Sequence, residues 1–204
     1  MTKKEMTKEK IQQAAFKCVA RFGFEKTTLD DIAKEVGLNK ASLYYYYKNK
    51  EEIFLEITTT STRQFLETLQ AGTLATTGGI VAQIRYFLLE RAVYYVRMVE
   101  QTRISEETLR QVEHLFWEQM KDVQAQEQTF LDNLCQAAIS DGVLKPFDTA
   151  RMALNLIALS ESIKKNAKEK YPNEKSTEII SQEIAGNIDF MLALIFEGLK
   201  MGRI

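Results

Sequence analysis

Apolar residues recur at three- and four-residue intervals along almost the whole chain, and the helices can be read off one by one. Ile11, Ala14, Ala15, Cys18, Val19 and Phe22 share one face of a first helix, with Lys10, Gln13, Lys17 and Arg21 outside it. Gly23 is the expected left-handed cap. Thr28 offers an N-cap to a second helix, with Asp30 and Asp31 in the first turn where the helix dipole favours acids. Leu29, Ile32, Ala33 and Val36 form its buried stripe, and Gly37 closes it. Asn39 caps a third helix that carries Ala41, Ser42, Leu43 and four consecutive tyrosines, Tyr44, Tyr45, Tyr46 and Tyr47. Asn49 caps a fourth, which runs through Ile53, Phe54, Ile57, Phe65, Leu66 and Leu69 to Gly72. Its middle, residues 58–62, is a threonine and serine run of poor helix propensity, outvoted by the periodicity on either side.

Residues 73–79 read as a small-residue linker. Further helical patterns cover 80–103, 106–141, 147–169 and 176–201, with Gly142 and Pro146 at one junction and Tyr171-Pro172-Asn173 at another. The 106–141 pattern is long enough that a kink is expected within it. No strand-like alternation persists that helical period does not read better. Only 2 prolines and 9 glycines occur in 204 residues, and 45% of the residues are hydrophobic, which predicts an all-α protein with a sizeable core.

Charge changes the picture by its distribution. The net charge is −1, but residues 1–50 hold 11 Lys and Arg against 6 Asp and Glu, while the remainder is net acidic. A basic head on an acidic body suits a chain whose head alone meets a polyanion. The start is basic with no apolar run behind it, unlike a signal peptide. The longest unbroken apolar stretch, 190–196, falls well short of the roughly 20 residues of a membrane span. A cytoplasmic protein with no membrane partner is expected, and Cys18 and Cys135 read as buried, reduced thiols. Catalysis finds little support. There is one histidine, no glycine-rich phosphate loop, no His-Glu-x-x-His and no paired Cys-x-x-Cys, and Gln111 stands where a Glu-x-x-His pair ending at His114 would need its carboxylate. No catalytic residue, metal site or cofactor is expected.

The second and third helices have the geometry of a helix-turn-helix, with the motif at about 28–47. Ala33 is small enough to lie beneath the next helix, Gly37 can take positive φ in the turn, and Leu43 anchors the third helix to the core. Lys40 and Lys50 bracket that helix and can neutralise phosphates, while Asn39 and Ser42 can donate to phosphate oxygens. Tyr44 and Tyr47 are three apart and share a side with Leu43, and one of them, Tyr47 ahead of Tyr44, is expected to pack inward. Tyr45 and Tyr46 are expected to point out, where a ring and a hydroxyl suit sugar, phosphate or a thymine methyl. A DNA-binding domain over 1–50 and a helical ligand-binding and dimerisation body over 51–204 follow.

In Gly23-Phe24, Thr27-Thr28, Ile32-Ala33, Gly37 and the run Lys40-Ala41-Ser42-Leu43-Tyr44-Tyr45-Tyr46-Tyr47-Lys48-Asn49-Lys50-Glu51-Glu52, residues 7–57 resemble the N-terminal domain of TetR-family transcriptional regulators. The resemblance implies an all-α dimer, three DNA-binding helices followed by a body of six or more, and a repressor released from its operator by a small molecule. Carried over by position, it implies phosphate contacts from Thr28, Asn39, Ser42, Tyr45 and Lys50, with Lys40, Ala41, Tyr44 and Tyr46 nearest the bases. Ala41 stands where the family often has glycine, and Tyr46-Tyr47 where it often has His-Phe, so the bases read are left open.

The last helical pattern is apolar on more than one side, which asks for burial on two sides. Ile184, Ile188, Met191, Leu192 and Ile195, with Ala153, Leu154 and Ile157 from the preceding pattern, are the candidate homodimer interface. Tyr86, Tyr94, Tyr95, Met98, Phe116, Trp117 and Met120 are candidates to line a mostly hydrophobic inducer site, with Arg91 or His114 meeting a polar group of the ligand. The fourth helix would carry the resulting shift to the head. The expected partners are therefore a double-stranded, palindromic operator, a second copy and an inducer. The competing reading is a helical carrier or adaptor without DNA.

Overall fold

The structure, a computed structural model, describes residues 2–102, 106–171 and 177–199, leaving aside the side chains of 99, 101–102, 106–117 and 119. The described residues form eight α-helices and no β-strand. They are α1 (Lys3–Phe22), α2 (Leu29–Val36), α3 (Lys40–Tyr46), α4 (Lys50–Ala75), α5 (Ile80–Thr102), α6 (Glu106–Ser140), α7 (Thr149–Lys170) and α8 (Thr177–Glu197). The all-α expectation holds. Among the described residues five helices follow the first three, one fewer than the resemblance implies, and His114 lies outside the described side chains.

The chain divides into two compact units. One holds Met1–Gln64 and Met98–Lys121; the other holds Phe65–Arg97 and Asp122–Ile204. In the first unit, Ile11, Ala14, Ala15, Cys18 and Val19 of α1 share a core with Phe24, Ile32, Ala33, Leu43, Tyr47, Ile53 and Phe54. Phe22 departs from the predicted stripe and stays 43% exposed. Gly23 ends α1 at φ 81°, ψ 159°, a glycine-only conformation but not the left-handed helical one expected. Thr28 caps α2 as expected, and Asp31 completes a reciprocal capping box with it.

Gly37 lies at φ 76°, ψ 28° in the turn between α2 and α3. The Leu38 amide donates to Ala33 O at 2.9 Å and the Gly37 amide to Lys34 O at 3.2 Å, which closes α2 as a Schellman turn. A Cβ at Gly37 would meet nothing within 4 Å, so only backbone strain opposes a side chain there. Gly37→Ala should therefore destabilise the protein by about 1–2 kcal/mol in chemical denaturation, with Gly37→Asn closer to wild type.

The threonine-rich middle of α4 is helical. The hydroxyls of Thr58 and Thr59 donate to the carbonyls of Phe54 and Leu55 at 2.6 and 2.7 Å. The helix also runs past Gly72 into the predicted linker, with Thr73 donating to Leu69 O at 2.7 Å. At 26 residues it is about 39 Å long. The long 106–141 pattern is a single 35-residue helix.

In the second unit, α7 packs along α8. By length and mean hydropathy alone α8 could cross a membrane, and only 28% of its apolar window is buried. Its inner side carries Ile180, Ile184, Ile188, Leu192 and Phe196. Asp189 pairs with Arg85, and Glu183 with Lys170 at 3.0 Å. Its exposed side mixes polar Glu178, Gln182, Asn187 and Asp189 with apolar Phe190 and Leu194, so α8 reads as a bundle helix with an apolar patch left uncovered.

Candidate nucleic-acid interface

The third helix is seven residues long, and Leu43 at 0% exposure fixes it to the core. The Asn39 side chain accepts from the Ser42 amide at 2.8 Å, so α3 begins on a cap formed by its own chain. Tyr47 is buried, as expected, and accepts a hydrogen bond from Gln12 Nε2 at 3.2 Å. Burial pushes its phenol well above the usual tyrosine range. Ala41, Tyr44 and Tyr45 face outward, with Tyr45 73% exposed.

Tyr46 departs from the outward reading. It is half-buried against the core, and its ring meets that of Tyr45 edge-on at 5.2 Å. Four consecutive tyrosines spread around the helix in this way: one in the core, one at its margin and two toward solvent.

The basic groups differ in how free they are. The Lys40 ammonium pairs with Asp30 at 3.1 Å, and this contact holds its pKa above the ordinary lysine value. Both partners are largely exposed, so the pair can open at little cost. Lys50 is not poised for phosphate. Its ammonium donates to the carbonyls of Phe24, Glu25 and Thr27 at 2.9, 3.1 and 3.1 Å and sits 4.6 Å from the Phe24 ring centroid. Thr28 is exposed, but its hydroxyl already serves Asp31. The exposed Lys48, left out of the candidate set, lies just beyond α3.

The outward face of α3 is thus short, aromatic and basic-edged, and it is set by a glycine turn against a capped partner helix. The family described as bacterial regulatory proteins of the tetR family matches residues 11–57, which is this unit through the first turns of α4. Over residues 11–57 the chain is similar to the TetR family of bacterial regulators. That is a family of transcriptional regulators, not of enzymes.

Over 47 residues the chain is 53% identical to the biofilm operon icaADBC HTH-type negative transcriptional regulator IcaR of Staphylococcus epidermidis. Over 53 residues it is 45% identical to the HTH-type transcriptional regulator YhgD of Bacillus subtilis. These matches span 23% and 26% of this chain, and only 25% and 28% of the relatives' own lengths. The fold extends further. A transcriptional regulator from Cytophaga hutchinsonii superposes over 95% of this chain and 98% of its own, with a TM-score of 0.70 at 20% identity. A TetR-family regulator from Pectobacterium atrosepticum covers 100% of both chains, with a TM-score of 0.71 at 18% identity.

Outside the TetR-like head, the structure redistributes the candidates. Ala153, Ile157, Ile184, Ile188 and Leu192 are buried within the single chain, and Met191 and Ile195 are half-buried. A side chain with no exposed surface cannot meet a second copy. The apolar residues that α7 and α8 leave outside are Leu154 at 51%, Leu159 at 43%, Ile179 at 41%, Phe190 at 68% and Leu194 at 67% exposure. Only Leu154 was in the expected set.

The inducer candidates also separate. Phe116 and Trp117 lie outside the described side chains, and Met98 and Met120 belong to the first unit. In the second unit, Tyr94 stacks on Phe65 with centroids 3.9 Å apart. Tyr86 packs so closely on Gly72 that a Cβ there would collide with its ring. Tyr95 lies under Lys164 and Arg91, whose cationic groups are 4.6 and 5.4 Å from its centroid. A groove of about 220 Å³, below the roughly 300–1,000 Å³ of typical ligand sites, is lined by Val81, Arg85, Asp189, Leu192 and Phe196. None of the inducer candidates lines it.

A buried charge cluster joins α5, α6 and α7. Arg91 Nε donates to Glu127 at 2.7 Å and Nη1 to Glu161, which also pairs with Lys164 at 2.5 Å. Arg91 and Glu127 are 2% and 3% exposed, and Glu127 Oε2 has no hydrogen-bond partner among the described residues. Burial opposes the charge on Arg91, but the two carboxylates outweigh it and its pKa stays raised. Burial opposes Glu161 as well, yet Arg91 and Lys164 hold its pKa below the ordinary value. For Lys164, burial prevails and the pKa falls. The sequence did carry a signal: Glu127 falls in register with buried Val123, Leu131 and Cys135. A charged residue on a core stripe needs a partner. The two thiols are buried, as expected, and burial pushes Cys135 up to about 11.

Proposed function

We propose that the protein is a dimeric transcriptional repressor that presents two copies of α3 to successive major grooves of a palindromic operator. The observation that carries this reading is the outward face of α3, with Ala41, Tyr44 and Tyr45 exposed between Lys40 and Lys48 while Leu43 and Tyr47 hold the helix from behind. A twofold dimer would set the two helices one duplex turn apart, about 34–36 Å. The exposed side chains Leu154, Phe190 and Leu194 support such a dimer, since an uncovered apolar face on two antiparallel neighbours is what a four-helix interface requires. Repression is drawn from IcaR, described as a negative regulator.

Release by a small molecule completes the proposal. The second unit offers aromatic side chains in Tyr94 and Tyr95 and one buried acceptor in Glu127 Oε2. A screen for compounds that shift operator affinity tests this part alone.

DNA binding is tested by titrating mixed genomic fragments and then the selected site. Affinity should fall by roughly 10³–10⁵ between 50 and 200 mM salt if 6–10 phosphates are contacted. Tyr45→Ala should cost roughly tenfold or more on the selected site without changing the fold. A protein that binds no duplex at low salt is instead the helical carrier or adaptor.

A further inference from the structure

We infer that Lys50 is a positioning residue for the helix-turn-helix and not a phosphate contact, an inference that rests on the DNA-binding reading above. A lysine ammonium has three N–H donors, and in this protein three carbonyls, those of Phe24, Glu25 and Thr27, receive them at 2.9–3.1 Å. No donor is left for an incoming phosphate unless the contact with the α1–α2 connection is broken. Lys50 is also the first residue of α4. It therefore ties the start of the long helix to a loop 23–26 residues earlier in the chain.

That loop is held at both ends. Phe24 is 1% exposed and meets Phe54 of α4 edge-on at 4.8 Å. Thr27 is 1% exposed and donates through its hydroxyl to Gly23 O at 2.8 Å. The next residue, Thr28, is the N-cap of α2. The other end of the motif is fixed to the same turn of α4: the Glu52 amide donates to Asn49 Oδ1, and Glu52 Oε2 accepts from the Lys48 amide, both at 2.8 Å. The first turn of α4 thus holds the entry to α2 through Lys50 and the exit from α3 through Glu52. A rotation or shift of that turn moves both ends of the DNA-reading element together.

The experiment compares Lys50→Met, Lys50→Arg and Lys48→Met in the full-length protein, reading DNA affinity over a series of salt concentrations and amide hydrogen exchange without DNA. Loss of the tether should lower affinity about tenfold at every salt concentration. The slope of log affinity against log salt should stay at the wild-type value. Lys48→Met serves as the comparison, with a slope shallower by about 0.9 if Lys48 meets one phosphate. Lys50→Arg keeps the charge but replaces a compact three-donor group with a flat fork, so it should resemble Lys50→Met. In both Lys50 variants amide exchange should quicken at residues 25–29 while α5–α8 are unchanged. A shallower slope in Lys50→Met with wild-type behaviour in Lys50→Arg would overturn the inference and make Lys50 a phosphate contact. Unchanged exchange at 25–29 would overturn it as well. Failure of the wild type to bind DNA would refute the proposed function, and the exchange measurement would still decide whether Lys50 holds the loop.

Discussion

Replacing Phe190 and Leu194 together by glutamate should turn the protein into a folded monomer that binds its operator at least 100-fold more weakly. Both side chains are about two-thirds exposed on the isolated chain, so the change touches no core contact and the helical content should survive. In the proposed dimer each would be buried, and twofold symmetry counts each twice. At about 1.5–3 kcal/mol for each large apolar side chain removed from water, the four would contribute roughly 6–12 kcal/mol at most, before any repulsion between the introduced charges. Loss on that scale separates the chains at micromolar concentration. A single head then engages one half-site, without the effective concentration that a linked second head supplies. Sedimentation and operator titration on the same samples decide the matter. A wild-type chain that is already monomeric, or a double variant that still dimerises, would remove α7 and α8 as the interface. Ile188→Glu is the contrasting substitution: at 0% exposure it should unfold the second unit.

Arg91→Ala should be the most destabilising substitution to alanine outside the DNA-binding head. It strands Glu127, 3% exposed, without the one cationic partner it has among the described residues, and removes one of the two cations beside Glu161. Breaking a buried pair from one side costs about 3–5 kcal/mol, since the remaining charge is neither solvated nor paired. For a chain of this size that lowers Tm by about 10 °C. Arg91→Lys should recover only part of the loss, because one ammonium cannot reproduce a fork that reaches Glu127 through Nε and Glu161 through Nη1. Arg91→Met combined with Glu127→Gln should recover more, because it removes both charges together. Thermal and urea unfolding of the four proteins measure the difference. A loss below about 1 kcal/mol for Arg91→Ala would mean that water reaches Glu127.

The cluster also predicts acid sensitivity. A carboxylate held below its ordinary pKa in the folded state stabilises the fold above its unfolded pKa, and that stability is lost as pH falls through the folded value. For Glu161 the loss therefore begins near the ordinary glutamate pKa of about 4.3 and continues below it.

The head was legible in the sequence because short-range geometry decides it. Gly37 announces the turn, Thr28 and Asn39 the caps, and Leu43 with Tyr47 the inner side of α3. Local pattern cannot reveal contacts between residues far apart in the chain. Lys50 looked like a phosphate ligand because it follows a basic, aromatic helix, yet its partners lie 23–26 residues back. Five of the eight interface candidates on α7 and α8 lie inside their own chain for a related reason. Both helices are apolar on two sides, and periodicity finds a stripe without saying which side its own chain covers. Ile184 and Ile188 went inward, and Phe190 and Leu194 stayed outside. The end of α4 was misplaced because glycine and threonine read as a break, whereas Thr73 bonds back to Leu69 and Gly72 makes room for Tyr86.

The hydroxyls of Thr58 and Thr59 have a mechanical consequence. Each shares a carbonyl that the helix ladder already uses, at Phe54 and Leu55, and such sharing lengthens ladder bonds and favours curvature. The rod that begins at Lys50 therefore has a compliant zone two to three turns from its anchored end. Bending of α4 is easiest at Thr58 and Thr59, inside the part of the helix that belongs to the first unit.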